Sequence, residues 1–210
     1  MDLVDFLGFP SANMVTGHRG MGKTSFGFKV LEDAHKHGLK CFIVGMPKSK
    51  HHLLPKFITP IDNLDDIPDK SAVFLDEAYI YAYARDHPRR FNKFLSKLIG
   101  VVRQKKWILV FASHSTRKLE IGVVMDLDAW VLRKPNYMHI YFERREIKEI
   151  TLMAYNWFVK LEQNGKNVKE YAIVISNNKP KVIKVELPSF WNDDLSNAFA
   201  GVSLSDTEEE

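Results

Sequence analysis

The run Gly17-His18-Arg19-Gly20-Met21-Gly22-Lys23-Thr24 puts glycines, a lysine and a hydroxyl residue at the fixed positions of G-x-x-x-x-G-K-[ST]. Glycines let a backbone curl until successive amides point inward at phosphate oxygens. A helix opening where the loop ends adds its unpaired N-terminal amides and the positive end of its dipole. Lys23 is then placed to reach β- and γ-phosphates, and the Thr24 hydroxyl to ligate Mg2+. The candidate nucleotide contacts are therefore Gly17, Arg19, Gly20, Met21, Gly22, Lys23, Thr24 and Ser25. Such a loop calls for ATP and Mg2+.

A second acidic motif complements the first. Val73-Phe74-Leu75 is an apolar run that ends in Asp76-Glu77. A carboxylate closing a buried strand beside a phosphate loop can hold Mg2+, which is the role expected of Asp76. Glu77 is then the candidate general base that polarises the attacking water. An acidic pair at a strand end is also an ordinary surface feature, and it gains meaning only from the loop. The Asp-Glu order favours hydrolysis over transfer to a substrate hydroxyl.

Two further features carry chemistry less specifically. In the segment from Arg89 to Lys97, residues Arg90, Lys93 and Lys97 fall at i, i+3 and i+7, a basic stripe opposite an apolar one. With Arg89 they are candidate contacts to nucleic-acid phosphates; a solvated helix face is the competing reading. Ser113-His114 closes an apolar run, where a polar side chain can sense a γ-phosphate or position water, although many such histidines are structural.

The elements that must position these residues are legible as alternating periods. Residues 12–16 predict a strand running into the loop, and Thr24 to His37 a helix with Phe26, Val30, Leu31 and Ala34 on one face. Apolar runs at Cys41–Met46, Ala72–Leu75, Trp107–Ala112 and Ala129–Leu132 predict strands covered on both faces. His139–Phe142 reads as another short strand, and residues 47–71 as a polar connection. Helices are expected over Arg89–Arg103 and Ile147–Leu161. A hairpin of Tyr171–Ser176, the turn NNKP and Val182–Leu187 follows, as an edge addition. The expected class is α/β: a mostly parallel central sheet flanked by helices, with a C-terminal β-hairpin. One domain spans 1–202, with a core at 10–135 and a C-terminal elaboration at 140–202, before a disordered acidic tail at 203–210.

Composition bounds the partners. The chain has 210 residues and one cysteine, Cys41, which excludes an intramolecular disulfide framework. The start MDLVDFLGFP lacks early basic residues and does not read as a signal peptide, and the run 107–112 is too short to cross a bilayer. A soluble protein with no membrane partner is expected. Between Ile80 and Lys118 there are ten basic residues against the single acid Asp86, while the last residues are acidic. That asymmetry fits a nucleic-acid partner or a solvated face.

The loop GHRGMGKT, the strand VFLDE, an arginine-bearing helix and a strand with a polar sensor, in that order, resemble the FtsK/HerA superfamily of ring-forming DNA translocases. In compactness the chain is most similar to the genome-packaging ATPases of turreted icosahedral archaeal viruses. The resemblance covers residues 10–135 and names GHRGMGKT as the Walker A motif and VFLDE as the Walker B motif. It implies an ATP-hydrolysing motor that moves double-stranded DNA through a homo-oligomeric, hexameric ring, packaging a viral genome. Capsid or portal-vertex proteins would be partners, in the host cytoplasm or on the virion. It also implies an arginine finger reaching the neighbouring subunit's nucleotide. Arg103, eleven residues before His114, has the spacing, with Arg89 and Arg90 as runners-up. The family's sensor is usually glutamine, and here His114 stands in its place. An ATPase for virion assembly or export, a small-molecule kinase and a non-enzymatic nucleotide-binding module are the alternatives.

Overall fold

The computed structural model describes residues 1–76, 88–114, 116–176 and 180–198, with the side chains of the helix that starts at Pro88 described from Phe91 onward. Glu77, the side chains of Arg89 and Arg90, and the acidic tail lie outside the described residues.

Mostly apolar segments of four to six residues form strands buried along most of their length: β1 Ser11–Thr16, β2 Lys40–Val44, β4 Ser71–Leu75, β5 Ile108–Ser113 and β6 Ala129–Leu132. With β3 Ile58–Ile61, β7 Tyr171–Ser176 and β8 Lys181–Lys184 they make one eight-stranded sheet in the order β3-β2-β4-β5-β1-β6-β7-β8. The six strands from β3 to β6 pair in parallel, and β7 and β8 add an antiparallel edge. The α/β class and the edge hairpin are as expected.

Strand alternation divides the core in two. Phe74, Val110 and Val131 point to one face, where helix α2 (Lys23–Lys36) packs through Phe26, Val30 and Leu31. Val73, Leu75, Leu109, Phe111 and Leu132 point to the other, covered by α3 (Pro88–Lys105) and by α6 (Arg145–Gln163). The first face is tight: a Cβ on Gly27 of α2 would stand 2.3 Å from the Phe74 ring. The shorter helices are α1 Leu3–Leu7, α4 Ile121–Met125, α5 Tyr137–Phe142 and α7 Asp193–Ser196.

Three expectations are corrected. His139–Phe142 is helical, part of α5, because Asn136 caps the segment by accepting from Met138 N at 2.9 Å. Its apolar residues also lack a buried alternating face: Ile140 is buried while Tyr141 and Phe142 are exposed. The connection 47–71 contains the strand β3, which Pro60 restricts to an edge position because proline cannot donate to a ladder. The hairpin's second strand stops at Lys184 rather than Leu187. The chain then turns toward α2, where Glu32 Oε1 accepts from Ser189 N at 2.7 Å.

That contact belongs to a buried ionic cluster. Lys29 Nζ donates to Glu32 and Asp33 at 2.7 Å each, and Asp33 accepts from Leu3 N at 3.1 Å. The cluster thus ties α1 and the segment 185–191 to the back of α2. Burial alone would raise the Glu32 pKa, but hydrogen bonds from Lys29 and Ser189 outweigh it and lower the carboxyl to about 2. A depressed folded pKa contributes stability in full above the unfolded value of 4.5, lost as pH falls through about 2. Thermal melts from pH 7 to 2 should therefore show the wild type losing its stability margin over Glu32→Gln below about pH 4.5. A margin that persists to pH 2 would contradict this assignment.

Candidate nucleotide-binding site

Parallel strands bring their carboxyl ends to one edge. There β1 ends at Thr16, β4 at Leu75, β5 at Ser113 and β6 at Leu132, in register across the sheet. Residues just beyond these ends converge: the loop 17–22, Asp76, His114 and Arg133. Crevices outside the carboxyl ends of such sheets are where ligands bind.

The loop is held from below. Arg133 N donates to Thr16 O at 2.7 Å, His18 N donates to Lys134 O at 3.0 Å, and Trp130 Nε1 donates to Thr16 Oγ1 at 2.7 Å. Gly22, at the start of α2, has φ 81°, a left-handed conformation that glycine adopts without strain. The amides that follow open α2 with no side-chain cap, so its dipole end faces the crevice.

Lys23 is only 6% exposed. Its Nζ donates to Gly17 O at 3.0 Å and lies 3.1 Å from His114 Nδ1. An ammonium can only donate, so His114 accepts at Nδ1 and carries its ring proton on Nε2. Thr24 Oγ1 donates to Asp76 Oδ2 at 3.1 Å, and Asp76 is 3% exposed. A hydroxyl and a carboxylate oxygen converging at a pocket floor suit a hard cation, so Thr24 and Asp76 fit Mg2+. Ser25 Oγ donates to Gly22 O at 3.1 Å. Arg19 and Gly20 line the crevice, whereas Met21 turns its carbonyl to Arg133.

Above the site is a cavity of about 1200 Å³. Its lining combines His18, Lys23, Thr24, Asp76, His114 and His139 with residues of the C-terminal elaboration, among them Lys169, Glu170, Lys184, Glu186, Leu187 and Trp191. His139, on α5, meets His18 edge-on with ring centroids 5.8 Å apart. Burial lowers its pKa first, and the fields of His18, His114 and Lys23 lower it further. Sequence reading missed His139 because the segment was assigned to a strand.

It also missed Arg133. This guanidinium is 2% exposed; Nε donates to Met21 O at 2.7 Å and NH2 donates to Lys169 O. The remaining NH1 is buried with no hydrogen-bond partner among the described residues. A Cβ on Gly17 would stand 2.6 Å from Arg133 Cβ, and one on Gly22 would stand 2.8 Å from its NH2. Two of the motif's glycines are therefore needed for contact with this arginine as well as for backbone curvature.

The remaining candidates are elsewhere. Arg103 is exposed and pairs with Asp128 at 3.2 Å. Asp128 also accepts from Ala12 N at 2.9 Å, which places the pair at the amino edge of the sheet, away from its own chain's loop. Lys93 and Lys97 are exposed on α3, opposite the buried Leu95, Leu98 and Val102.

Neither the protein-family profiles nor the curated protein sequences match the chain. Solved structures do. The genome packaging NTPase B204 of Sulfolobus turreted icosahedral virus 2, in complex with AMPPCP, aligns at TM-score 0.52 and 12% identity, covering 85% of this chain and 99% of that one. Its sulfate complex aligns at TM-score 0.54. The pCW3 conjugation coupling protein TcpA, in its monomer form with ATPγS, aligns at TM-score 0.57 and 13% identity, covering 88% of this chain and 62% of that one. The fold is the one these proteins share.

Proposed function

We propose that this chain is a Mg2+-dependent ATPase that uses hydrolysis to translocate double-stranded DNA, packaging a viral genome into a capsid. The observation that carries the reading is the convergence of the buried Lys23 and Asp76 with the half-buried Thr24 and His114 at the mouth of a glycine loop. Lys23 neutralises the terminal phosphates and the amides opening α2 bind their oxygens. His114 donates from Nε2 toward the γ-phosphate or the attacking water. Thr24 and Asp76 would hold Mg2+, which would supply neutralisation of phosphate charge. Glu77 directly follows Asp76 and takes the proton of the attacking water as general base. DNA as the substrate is supported by the names of the fold neighbours, a genome packaging NTPase and a conjugation coupling protein. The exposed Lys93 and Lys97 on α3 supply phosphate contacts, continued by Arg89 and Arg90 in sequence.

A homo-oligomeric ring, hexameric in this reading, is supported by one surface. Helix α5 exposes Tyr137, Met138, Tyr141 and Phe142 while its His139 lines the nucleotide cavity. An aromatic patch continuous with an active-site mouth fits a second copy of the chain seated over the nucleotide. In a head-to-tail ring the surface that carries the trans arginine differs from the one that carries the pocket, as the position of Arg103 allows. Capsid or portal-vertex proteins are the remaining partners, in the host cytoplasm or on the virion.

The deciding experiment measures phosphate release with and without double-stranded DNA. DNA binding with increased turnover is expected. Hydrolysis indifferent to DNA would instead favour an ATPase of virion assembly, and a phosphorylated acceptor would indicate a kinase.

A further inference from the structure

The phosphate loop, Asp76 and His114 account for part of the cavity's lining. The C-terminal elaboration supplies most of the rest: polar groups from Asn167, Lys169, Glu170, Lys184, Glu186 and Ser196, and an apolar wall from Val185, Leu187 and Trp191 that neither phosphate nor metal can use. Ser25, next in sequence to Thr24, lines the same cavity. A nucleotide whose phosphates sit at Lys23 therefore has this apolar wall within the same cavity.

The wall is rigidly carried. Glu32 of α2 accepts from Ser189 N at 2.7 Å, and Trp191 N donates to Pro188 O at 3.0 Å. Phe28, also on α2, packs against Phe190 and Trp191 with ring centroids 5.8 and 5.9 Å away. One helix thus opens the phosphate loop at its first turn and holds the apolar strap from its second turn onward. Arg133 ties the loop to Lys169, another residue of the cavity lining. Leu187 is 59% exposed beside this anchored segment, a large apolar side chain at the cavity rim with little packing of its own.

We propose that the strap 185–191 is the base subsite of the nucleotide pocket, in which the face of a purine packs against Trp191 and Leu187. The proposal rests on the nucleotide reading above and goes further by assigning base recognition to the C-terminal elaboration, which carries no motif. A purine offers a larger stacking face than a pyrimidine, so the apolar wall selects between them. Stacking on an aromatic side chain also tolerates the exact polar edge of the base.

Calorimetric titration of the full chain with three probes separates the two layers of this reading: inorganic tripolyphosphate, and the β,γ-methylene analogues of ATP and of CTP. Trp191→Ala should weaken the ATP analogue about tenfold and Leu187→Ala a few-fold, while Trp191→Phe stays close to wild type. Tripolyphosphate affinity should be the same in all four proteins, and the preference for the ATP over the CTP analogue should shrink in the two alanine variants. Unchanged ATP-analogue affinity in both alanine variants, with tripolyphosphate still bound, would overturn the base subsite and leave the phosphate loop standing. Failure of the wild type to bind any probe would instead remove the nucleotide reading. Should Trp191→Ala lose every probe, its packing on Phe28 has failed, and the exposed Leu187 decides: no selective loss there overturns the proposal.

Discussion

Lys23→Ala should lower phosphate release by at least about 100-fold and weaken nucleotide binding, with the fold intact. The expectation follows from where the ammonium lies. It is 6% exposed, 3.0 Å from Gly17 O and 3.1 Å from His114 Nδ1, at the mouth of the phosphate loop where a polyphosphate would bind. A unit charge pair at about 4 Å contributes about 4 kcal/mol at an effective dielectric of about 20, and a polyphosphate brings several such charges. A melting curve separates loss of binding from loss of fold. Phosphate release, calorimetric affinity and a melting curve together check the point. Wild-type turnover and affinity in Lys23→Ala would end the nucleotide assignment, whatever the substrate of the motor.

The parts of this site that sequence made legible share a physical origin. Strands buried on both faces favour unbroken apolar runs, which β4, β5 and β6 carry, whereas β1 buries Ser11, Asn13 and Thr16 among its apolar residues. The loop was legible because its demands are local: left-handed backbone at Gly22, an ammonium and a hydroxyl on the next two residues. What was not legible depends on pairing between distant strands. Arg133-Lys134 reads as two basic residues closing a strand, and only the parallel pairing of β6 with β1 slides Arg133 beneath Gly17 and Gly22. Residues 185–187 read as the tail of a hairpin strand, because nothing local reveals that Glu32, far earlier in the chain, will bind Ser189 N. His139 was hidden by its aromatic neighbours, whose strand-like composition was overridden by an asparagine cap.

Arg133→Met is expected to leave the empty protein's stability nearly unchanged while lowering ATP affinity at least tenfold. Two effects compete in the empty state. Burial lowers the guanidinium pKa to about 10 from 12.5, so keeping it charged at neutral pH costs about 3 kcal/mol. Against this stand charge-assisted hydrogen bonds to Met21 O and Lys169 O, each worth about 1.5–3 kcal/mol. At the lower end of that range the two sides cancel, and methionine fills much of the vacated volume. Nucleotide breaks the balance. Each phosphate charge at about 8 Å from the guanidinium contributes about 2 kcal/mol at a dielectric of about 20, and none of that survives in methionine. Arg133→Lys should recover part of the affinity through its charge but not the tie between Met21 and Lys169, because a point ammonium cannot span both carbonyls as the planar fork does. The readout is the rise in melting temperature on adding ATP: large in wild type, intermediate in the lysine variant, small in the methionine variant. Equal rises in all three would mean that Arg133 only packs the loop, and that its charge plays no part in binding phosphate.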